Sequence, residues 1–242
     1  MNLILDIGNT KIKLAVFSGS EIIFQESVKD IDFSILENIL SDYPKITHSI
    51  LSSTRKRPLE IKEFLDLKLK KCLILDYTTN LPIINKYLSP KTLGYDRIAN
   101  ATAAHTLFPE NNVLVIDAGT AITYDFISFK GEFLGGNISP GAEMRANSLN
   151  KYTSNLPLVS LHSETFLLSN NTKEALISGV VNGILFEMDG YISQLNALHS
   201  QLKLILTGGD IKLFDKKLKN HIFVDSNLNL KGLNRILQYN VN

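Results

Sequence analysis

The chain has 242 residues, of which 44% are hydrophobic and 20% charged, and its formal net charge is +1. This near neutrality gives no electrostatic reason to expect nucleic acid or an anionic membrane as a partner. The single cysteine, Cys72, excludes an intrachain disulfide and lies in an apolar run, which favours a buried structural thiol. Asp6 interrupts the first apolar run, and no stretch approaches the roughly 20 apolar residues of a membrane span. We therefore expect a cytoplasmic protein without a signal peptide.

In the first half of the chain, short apolar runs alternate with helical patterns. Strands are expected at 2–7, 11–18, 21–27, 49–53 and 72–77. Amphipathic helices are expected at 30–43, with Asp30 or Asp32 as the N-cap, and at 59–70. An alanine-rich stretch from Arg97 to Phe108 predicts a third helix, which Pro109 ends. This alternation of strands and helices is typical of an α/β fold.

The second half begins with a strand-like hairpin at 111–128, followed by the glycine-rich stretch "KGEFLGGNISPG". A long helix is predicted from Thr172 to Leu198, and then a strand that leads into Gly208-Gly209. Gly179, Gly183 and Gly190 interrupt the long helix, each at a cost of about 1 kcal/mol relative to alanine. Such a cost indicates close approach by another backbone, either within the fold or from a second subunit.

One short pattern occurs twice, as "LILDIGNT" near the start and "LVIDAGTA" roughly 110 residues later, a period too long for a solenoid. In each copy, three apolar residues lead into Asp-x-Gly and a further strand follows. The repeat predicts two related lobes, 1–110 and 111–242, each with one acid-tipped hairpin facing a shared cleft. Chance is the alternative, because Asp-Gly turns between strands are common.

The first hairpin turn has the residue types of a phosphate site. Gly8 allows close backbone approach, and the amides and side chains around Asn9 and Thr10 form a candidate donor-lined concavity. Lys13 adds a cation, and Asp6 is suited to holding Mg²⁺ through water. The plain alternative is a tight hairpin in which Asp6 caps its own turn.

A second candidate group precedes the alanine-rich helix, at Gly94-Tyr95-Asp96-Arg97. Asp96 is a candidate general base or simply the helix N-cap, and Arg97 is a candidate fork for a carboxylate or phosphate. Asp117 is the third candidate acid, and Thr120 occupies the position of Asn9 in the second hairpin. If these three acids converge, bound cations are needed to offset their repulsion.

Several common sites are missing from the sequence. The chain has neither G-x-x-x-x-G-K-[ST] nor G-x-G-x-x-G, which are the two commonest nucleotide fingerprints. The histidine and cysteine spacings do not suit zinc, and no G-x-S-x-G elbow is present. Gly208-Gly209 alone is a weak indication of a nucleotide base or ribose.

Five motifs together resemble one known family. "DIGNTKIK", "LGYDRIAN", "VIDAGTAITYDF", "LGGNISPG" and "NTKEALISG" occur in order, over Asn2 to about Gly183. In this order they resemble type III pantothenate kinase of the actin-like, sugar kinase and Hsp70 ATPase superfamily. The resemblance implies two duplicated ribonuclease H-like lobes, with mixed sheets flanked by helices and an active-site cleft between them. It also implies ATP-dependent phosphorylation of pantothenate to 4'-phosphopantothenate, the first step of coenzyme A biosynthesis.

The resemblance further implies a role for each candidate residue. Asp96 is the catalytic base, and Asp117 binds a monovalent cation, K⁺ or NH₄⁺, alongside ATP and Mg²⁺. Nucleotide binding falls to the residues of the two hairpins, namely Asp6, Ile7, Gly8, Asn9, Thr10, Lys11, Ile12, Lys13 and Thr120. Pantothenate binding falls to Tyr87, Gly94, Tyr95, Asp96, Arg97 and Thr172. The family forms homodimers, so the implied partner protein is a second copy of the chain.

Two other functions compete with this one. Another small-molecule kinase of the same fold would share both hairpins, and the segment Gly94–Arg97 with Thr172 distinguishes it. A non-catalytic nucleotide-binding regulator would bind ATP without any stimulation by pantothenate and without a need for Asp96.

Overall fold

The chain packs as two compact units, and the computed structural model describes residues 1–55, 58–199 and 201–241. The first unit contains Met1–Leu107 and Asn227–Asn242, and the second contains Phe108–Ser226. The final helix thus packs with the first unit, whereas the lobe division predicted from the repeat places it in the second half. That division at residues 110 and 111 stays a prediction.

The first unit is a five-stranded sheet with helices. Its elements in chain order are β1 (Asn2–Ile7), β2 (Ile12–Ser18), β3 (Glu21–Val28), α1 (Phe33–Asp42), β4 (His48–Ser53), α2 (Leu59–Asp66), β5 (Lys71–Ile74), β6 (Ile84–Asn85), a short 3-10 helix (Pro90–Thr92), α3 (Tyr95–Leu107) and α7 (Leu228–Val241). The strand order is β3-β2-β1-β4-β5, with β1, β2 and β3 antiparallel and β4 and β5 parallel to β1.

Every second side chain of a strand points to the same face of the sheet, and these side chains form the core of this unit. Leu3, Leu5, Leu14 and Val16 point to one face of the sheet, where they pack against Leu36 of α1. Asp32 caps α1 by accepting a hydrogen bond from the Ser34 amide at 3.3 Å. The N-cap predicted at position 30 or 32 is therefore Asp32.

Helix α7 packs closely on α3. A Cβ at Gly232 would lie 1.8 Å from the Ala99 carbonyl oxygen, so only glycine allows this separation of the two helices. Asn229, one turn earlier on α7, donates to the Asp96 carbonyl at 3.4 Å. The end of the chain therefore supports the helix that carries the candidate base.

The second unit repeats the topology of the first. Its elements are β7 (Val113–Ala118), β8 (Ala121–Ile127), β9 (Glu132–Pro140), α4 (Ala142–Lys151), α5 (Thr172–Leu198), β10 (Lys203–Thr207), α6 (Ile211–Phe214) and β11 (Phe223–Val224). The strands follow the order β11-β10-β7-β8-β9, with β7, β8 and β9 antiparallel and β10 and β11 parallel to β7. Strand for strand, this is the order of the first unit. The duplicated α/β fold predicted from the repeat is confirmed.

Helix α5 spans the residues predicted for it. By length and composition alone it is apolar enough to cross a membrane, contrary to the expectation from the sequence. Half of its apolar window is buried, and Val181, Ile184 and Met188 lie in the core of the second unit. This burial is that of a core helix.

The glycines of α5 have no close neighbour in the described parts of the chain. A Cβ at Gly179, Gly183 or Gly190 would meet nothing within 4 Å. The close backbone approach predicted within the fold is therefore absent among the described residues. A second subunit remains as the other explanation.

Cys72 is buried on β5, as predicted, and gives a test of the packing. Burial raises the pKa of its thiol to about 11. Because the thiolate is the reactive form, we expect labelling of the native protein at pH 8 to be about a hundredfold slower than labelling of the unfolded chain. Timed alkylation followed by mass spectrometry measures this ratio, and equal rates would show that Cys72 is accessible.

Candidate active site

The first hairpin turn connects β1 and β2. The Gly8 amide donates to the Lys11 carbonyl at 3.1 Å, and Asp6 lies directly opposite Lys13 in the ladder. Asn9, Thr10 and Lys11 are exposed, and the Arg55 guanidinium donates to the Asn9 carbonyl at 2.7 Å. The turn is therefore held from the end of β4, with its polar residues at the surface of the unit.

Asp96 lies in the first turn of α3. The helix begins at Tyr95, so Asp96 is not its N-cap, and its Oδ1 accepts a hydrogen bond from the Arg97 amide at 2.9 Å. A Cβ at Gly94 would lie 2.5 Å from this same oxygen. Gly94 therefore leaves room for the carboxylate. A negative charge is also stabilised at this position by the helix dipole.

Arg97 and Tyr87 lie close together in the first unit. The Arg97 guanidinium carbon is 5.4 Å from the centre of the Tyr87 ring, within the range of a cation–π contact. Arg97 is only 4% exposed, and the Tyr87 amide donates to Asn85 Oδ1 at 2.9 Å. The structure thus groups Tyr87 with Arg97, which adjoins Gly94, Tyr95 and Asp96 in the chain.

The second hairpin turn connects β7 and β8. Asp117 lies opposite Thr123, and the Gly119 amide donates to the Ala121 carbonyl at 3.2 Å. In both turns the glycine amide bonds to a carbonyl at or just before the start of the next strand, but Gly8 bonds three residues ahead whereas Gly119 bonds two residues ahead. The sequence repeat is therefore also a structural repeat, with a tighter second copy.

Two other loops hold this second turn. The Gly141 amide donates to the Thr120 carbonyl at 3.1 Å, and the Asp210 amide donates to the Ala118 carbonyl at 2.9 Å. A Cβ at Gly141 would lie 2.2 Å from the Gly119 carbonyl oxygen. Gly208, with φ of +103°, would place a Cβ 2.3 Å from the Ala118 carbonyl oxygen. Side chains at either position are incompatible with this packing.

Thr172 lies elsewhere in the second unit. It is the first residue of α5, just after the N-cap Asn171, which accepts from the Glu174 amide at 3.0 Å. Thr172 lines a cavity of about 490 Å³ together with Arg145 and Leu149, and the lining contains neither Asp117 nor Thr120.

The described residues of the two hairpin turns offer few protein ligands to a metal ion. Within residues 1–55, 58–199 and 201–241, no group of three or more His, Cys, Asp or Glu side chains is arranged to hold a metal ion. The donors around Asp117, with Thr123 opposite it, are oxygen atoms, which suit hard cations. Mg²⁺ bound with ATP typically uses one or two carboxylates, water and phosphate oxygens. The donor set therefore fits a cation that is held partly by the nucleotide.

One group of side chains beside the second turn was missed by sequence reasoning. Arg145 on α4 forms an ion pair with Glu187 on α5 at 2.6 Å, and Tyr124 donates to the same carboxylate at 2.9 Å. The sequence analysis predicted no helix between the glycine-rich stretch and Thr172, so α4, which carries Arg145, was not anticipated. Nothing in the sequence indicated that Arg145 meets a partner 42 residues later.

The duplicated sheets and their acid-tipped turns are those of the actin-like and sugar kinase fold. Two solved structures are similar over nearly the whole chain. A conserved Baf family protein from Campylobacter jejuni is 25% identical, with a TM-score of 0.62 and coverage of 98% of both chains. The polyphosphate/ATP-glucomannokinase of Arthrobacter sp. strain KM is 15% identical, with a TM-score of 0.50 and coverage of 99% and 98%, which supports the fold alone.

Sequence comparison gives the family. The sequence model of type III pantothenate kinase matches residues 2–194. Type III pantothenate kinases of Phocaeicola vulgatus and Christiangramia forsetii are 45% and 43% identical, each over 99% of this chain and 99% of the relative. The chain belongs to the type III pantothenate kinase family.

Proposed function

We propose that this chain transfers the terminal phosphoryl group of ATP to pantothenate, giving 4'-phosphopantothenate in the first step of coenzyme A biosynthesis. The observation that carries the proposal is the group of Asp96, Arg97 and Tyr87, in which the Asp96 carboxylate accepts from the Arg97 amide and the guanidinium of the buried Arg97 lies over the Tyr87 ring. A base and an anion-binding fork are what a kinase needs for a hydroxyl substrate that also carries a carboxylate.

In this proposal Asp96 accepts the proton of the attacking pantothenate hydroxyl. Phosphoryl transfer demands mainly positioning and charge stabilisation, so a base that orients the nucleophile completes the protein's part. Arg97, held against Tyr87, binds the pantothenate carboxylate, and Gly94 and Tyr95 shape the pocket beside it. Thr172, the first residue of α5, supplies a further contact to pantothenate.

The two hairpin turns bind the nucleotide. The turn from Asp6 to Lys13 offers backbone amides and a lysine to phosphate, and Thr120 offers the equivalent contact from the second turn. Asp6 holds Mg²⁺ through water, and Asp117 binds the monovalent cation, K⁺ or NH₄⁺. When bound, the cations neutralise charge on the phosphates.

The proposed enzyme is a cytoplasmic homodimer. Gly179, Gly183 and Gly190 leave open space along α5 that a second copy is suited to fill, and Phe186 on the same helix is 61% exposed. Sedimentation of the purified chain measures this association.

The test of the proposed reaction is ADP release with pantothenate present or absent, in parallel K⁺ and Na⁺ buffers. We expect ADP release to depend on pantothenate and to be faster in K⁺. Glucose and N-acetylmannosamine serve as alternative acceptors. Equal ADP release with a sugar, or none with any acceptor, would contradict the proposed substrate.

The cation role of Asp117 has its own test. Asp117→Asn keeps the size of the side chain but removes its charge, so we expect the K⁺ concentration for half-maximal activity to rise at least roughly tenfold, as for loss of one charged contact. Titration of KCl at constant ionic strength measures this value. An unchanged K⁺ requirement would place the cation elsewhere.

A further inference from the structure

We infer that the Arg145–Glu187 ion pair is a positioning device for the second hairpin turn, and that it acts through the single peptide unit between Pro140 and Gly141. This inference rests on the proposed function, in which that turn contacts the nucleotide through Thr120 and the cation through Asp117. Arg145 and Glu187 are thereby assigned an influence on ATP and cation binding without touching either ligand.

The series of hydrogen bonds that joins the ion pair to the second turn begins at the guanidinium of Arg145. Its Nε donates to the Pro140 carbonyl at 2.8 Å, and an Nη donates to Ser139 Oγ at 2.8 Å and to Glu187 Oε2 at 2.6 Å. These bonds fix the end of β9 from two directions. Lysine offers no such planar fork, so the charge alone cannot reproduce the arrangement.

The next step is the peptide unit itself. The Pro140 carbonyl that accepts from Arg145 and the Gly141 amide that donates to the Thr120 carbonyl belong to one planar group. Rotation of this plane would break both hydrogen bonds together. The two bonds also polarise one another, since both lie on the same amide. The orientation of Arg145 is therefore transmitted to the backbone of Thr120.

Glycine at 141 makes the contact short enough to transmit position. A Cβ there would lie 2.2 Å from the Gly119 carbonyl oxygen and 2.4 Å from that of Thr120. The β9–α4 corner and the second turn are thus in direct backbone contact. A small shift of the corner has no intervening side chain to absorb it.

Glu187, on α5, holds the guanidinium of Arg145 in place. Its carboxylate accepts from Arg145 and from the hydroxyl of Tyr124, and the Tyr124 ring packs on Tyr191 with centroids 4.2 Å apart. Burial raises the pKa of Glu187, but hydrogen bonds from Arg145, Ser139 and Tyr124 outweigh it, and the pKa lies below its ordinary value. The carboxylate is therefore ionised at neutral pH, as the pair requires.

Arg145 also lines the cavity that contains Thr172, which is proposed to contact pantothenate. The test must therefore separate a role in positioning the second turn from a direct role in binding pantothenate. A direct role in pantothenate binding would raise the KM for pantothenate. The positioning role instead raises the KM for ATP and the K⁺ requirement, because these ligands depend on the second turn.

The experiment compares Arg145→Lys with the wild-type chain. We expect the KM for ATP and the half-maximal K⁺ concentration to rise at least roughly tenfold, since one charged hydrogen bond is lost, with the KM for pantothenate within about twofold. Arg235→Lys, on α7 of the other unit, makes the same chemical change and is expected to leave all three values unchanged. Glu187→Gln keeps the side-chain volume. It is expected to raise the KM for ATP and the half-maximal K⁺ concentration as well, by a smaller factor.

The outcomes separate this inference from the proposed function. If the wild-type chain does not phosphorylate pantothenate, the proposed function fails. If it does, and both Arg145→Lys and Glu187→Gln keep the wild-type KM for ATP and half-maximal K⁺ concentration, the inference alone is overturned. A rise confined to the KM for pantothenate overturns it in favour of direct substrate contact. Should Arg145→Lys fail to fold by circular dichroism, Glu187→Gln decides the question.

Discussion

We expect Asp96→Asn to lower kcat by roughly 10²–10⁴, the range for loss of a general base. Asparagine has almost the same shape and retains an oxygen that accepts from the Arg97 amide, as Asp96 Oδ1 does at 2.9 Å. Binding of both substrates and the fold should therefore change little. Steady-state kinetics at saturating ATP and pantothenate measure the loss, and thermal unfolding checks the fold.

The control for this variant is Asp42→Asn, which makes the same change at an exposed residue at the end of α1. It is expected to keep the wild-type kcat. Full activity of Asp96→Asn would remove Asp96 from the chemical step, and an equal loss in both variants would point to a general effect of charge.

We expect Gly208→Ala to destabilise the second unit by about 3 kcal/mol or more. A non-glycine residue at φ of +103° costs about 1–3 kcal/mol by itself. The added Cβ would also lie 2.3 Å from the carbonyl oxygen and 2.7 Å from the nitrogen of Ala118, and these backbone atoms have no free side chain that could move aside. Urea unfolding followed by circular dichroism measures the change.

The neighbouring residue provides the control. A Cβ at Gly209 would meet nothing within 4 Å, so Gly209→Ala should unfold at nearly the wild-type urea concentration. Since Gly208 contacts the second hairpin turn, its alanine variant should also lose kinase activity. Equal stability of the two variants would show that the loop after β10 does not pack against Ala118.

Local patterns made much of each unit predictable. The apolar runs that lead into Asp6 and Asp117 predicted both hairpins, and the repeat between them predicted the duplicated topology that the strand orders confirm. The long helix spans Thr172–Leu198 as its apolar stripe predicted. These elements are encoded by neighbouring residues, for which periodicity is a direct physical signal.

Contacts between distant segments were not predictable from the sequence. Nothing in the sequence pattern of α7 indicates that Gly232 packs on Ala99 of α3. Gly94 was named as a substrate residue, but its role in making room for Asp96 Oδ1 appears only from the geometry. The bond from Gly141 to Thr120 likewise depends on how two loops meet.

The candidate site was predictable only as residue types. The Asp-x-Gly turns and the segment Gly94–Arg97 stand out because acids and glycines at strand ends suit phosphate chemistry. The cation–π contact of Arg97 with Tyr87 depends on how the chain between them folds back. Arg145 and Glu187 gave no signal, since each is an ordinary charged residue on a helix.

Mass spectrometry of the product tests the central claim most directly. Purified chain, ATP, Mg²⁺ and K⁺ are incubated with pantothenate, and ADP and phosphorylated pantothenate are quantified in the same sample. The account predicts one phosphorylated pantothenate for each ADP. Formation of ADP with orthophosphate, and pantothenate left unmodified, would contradict it.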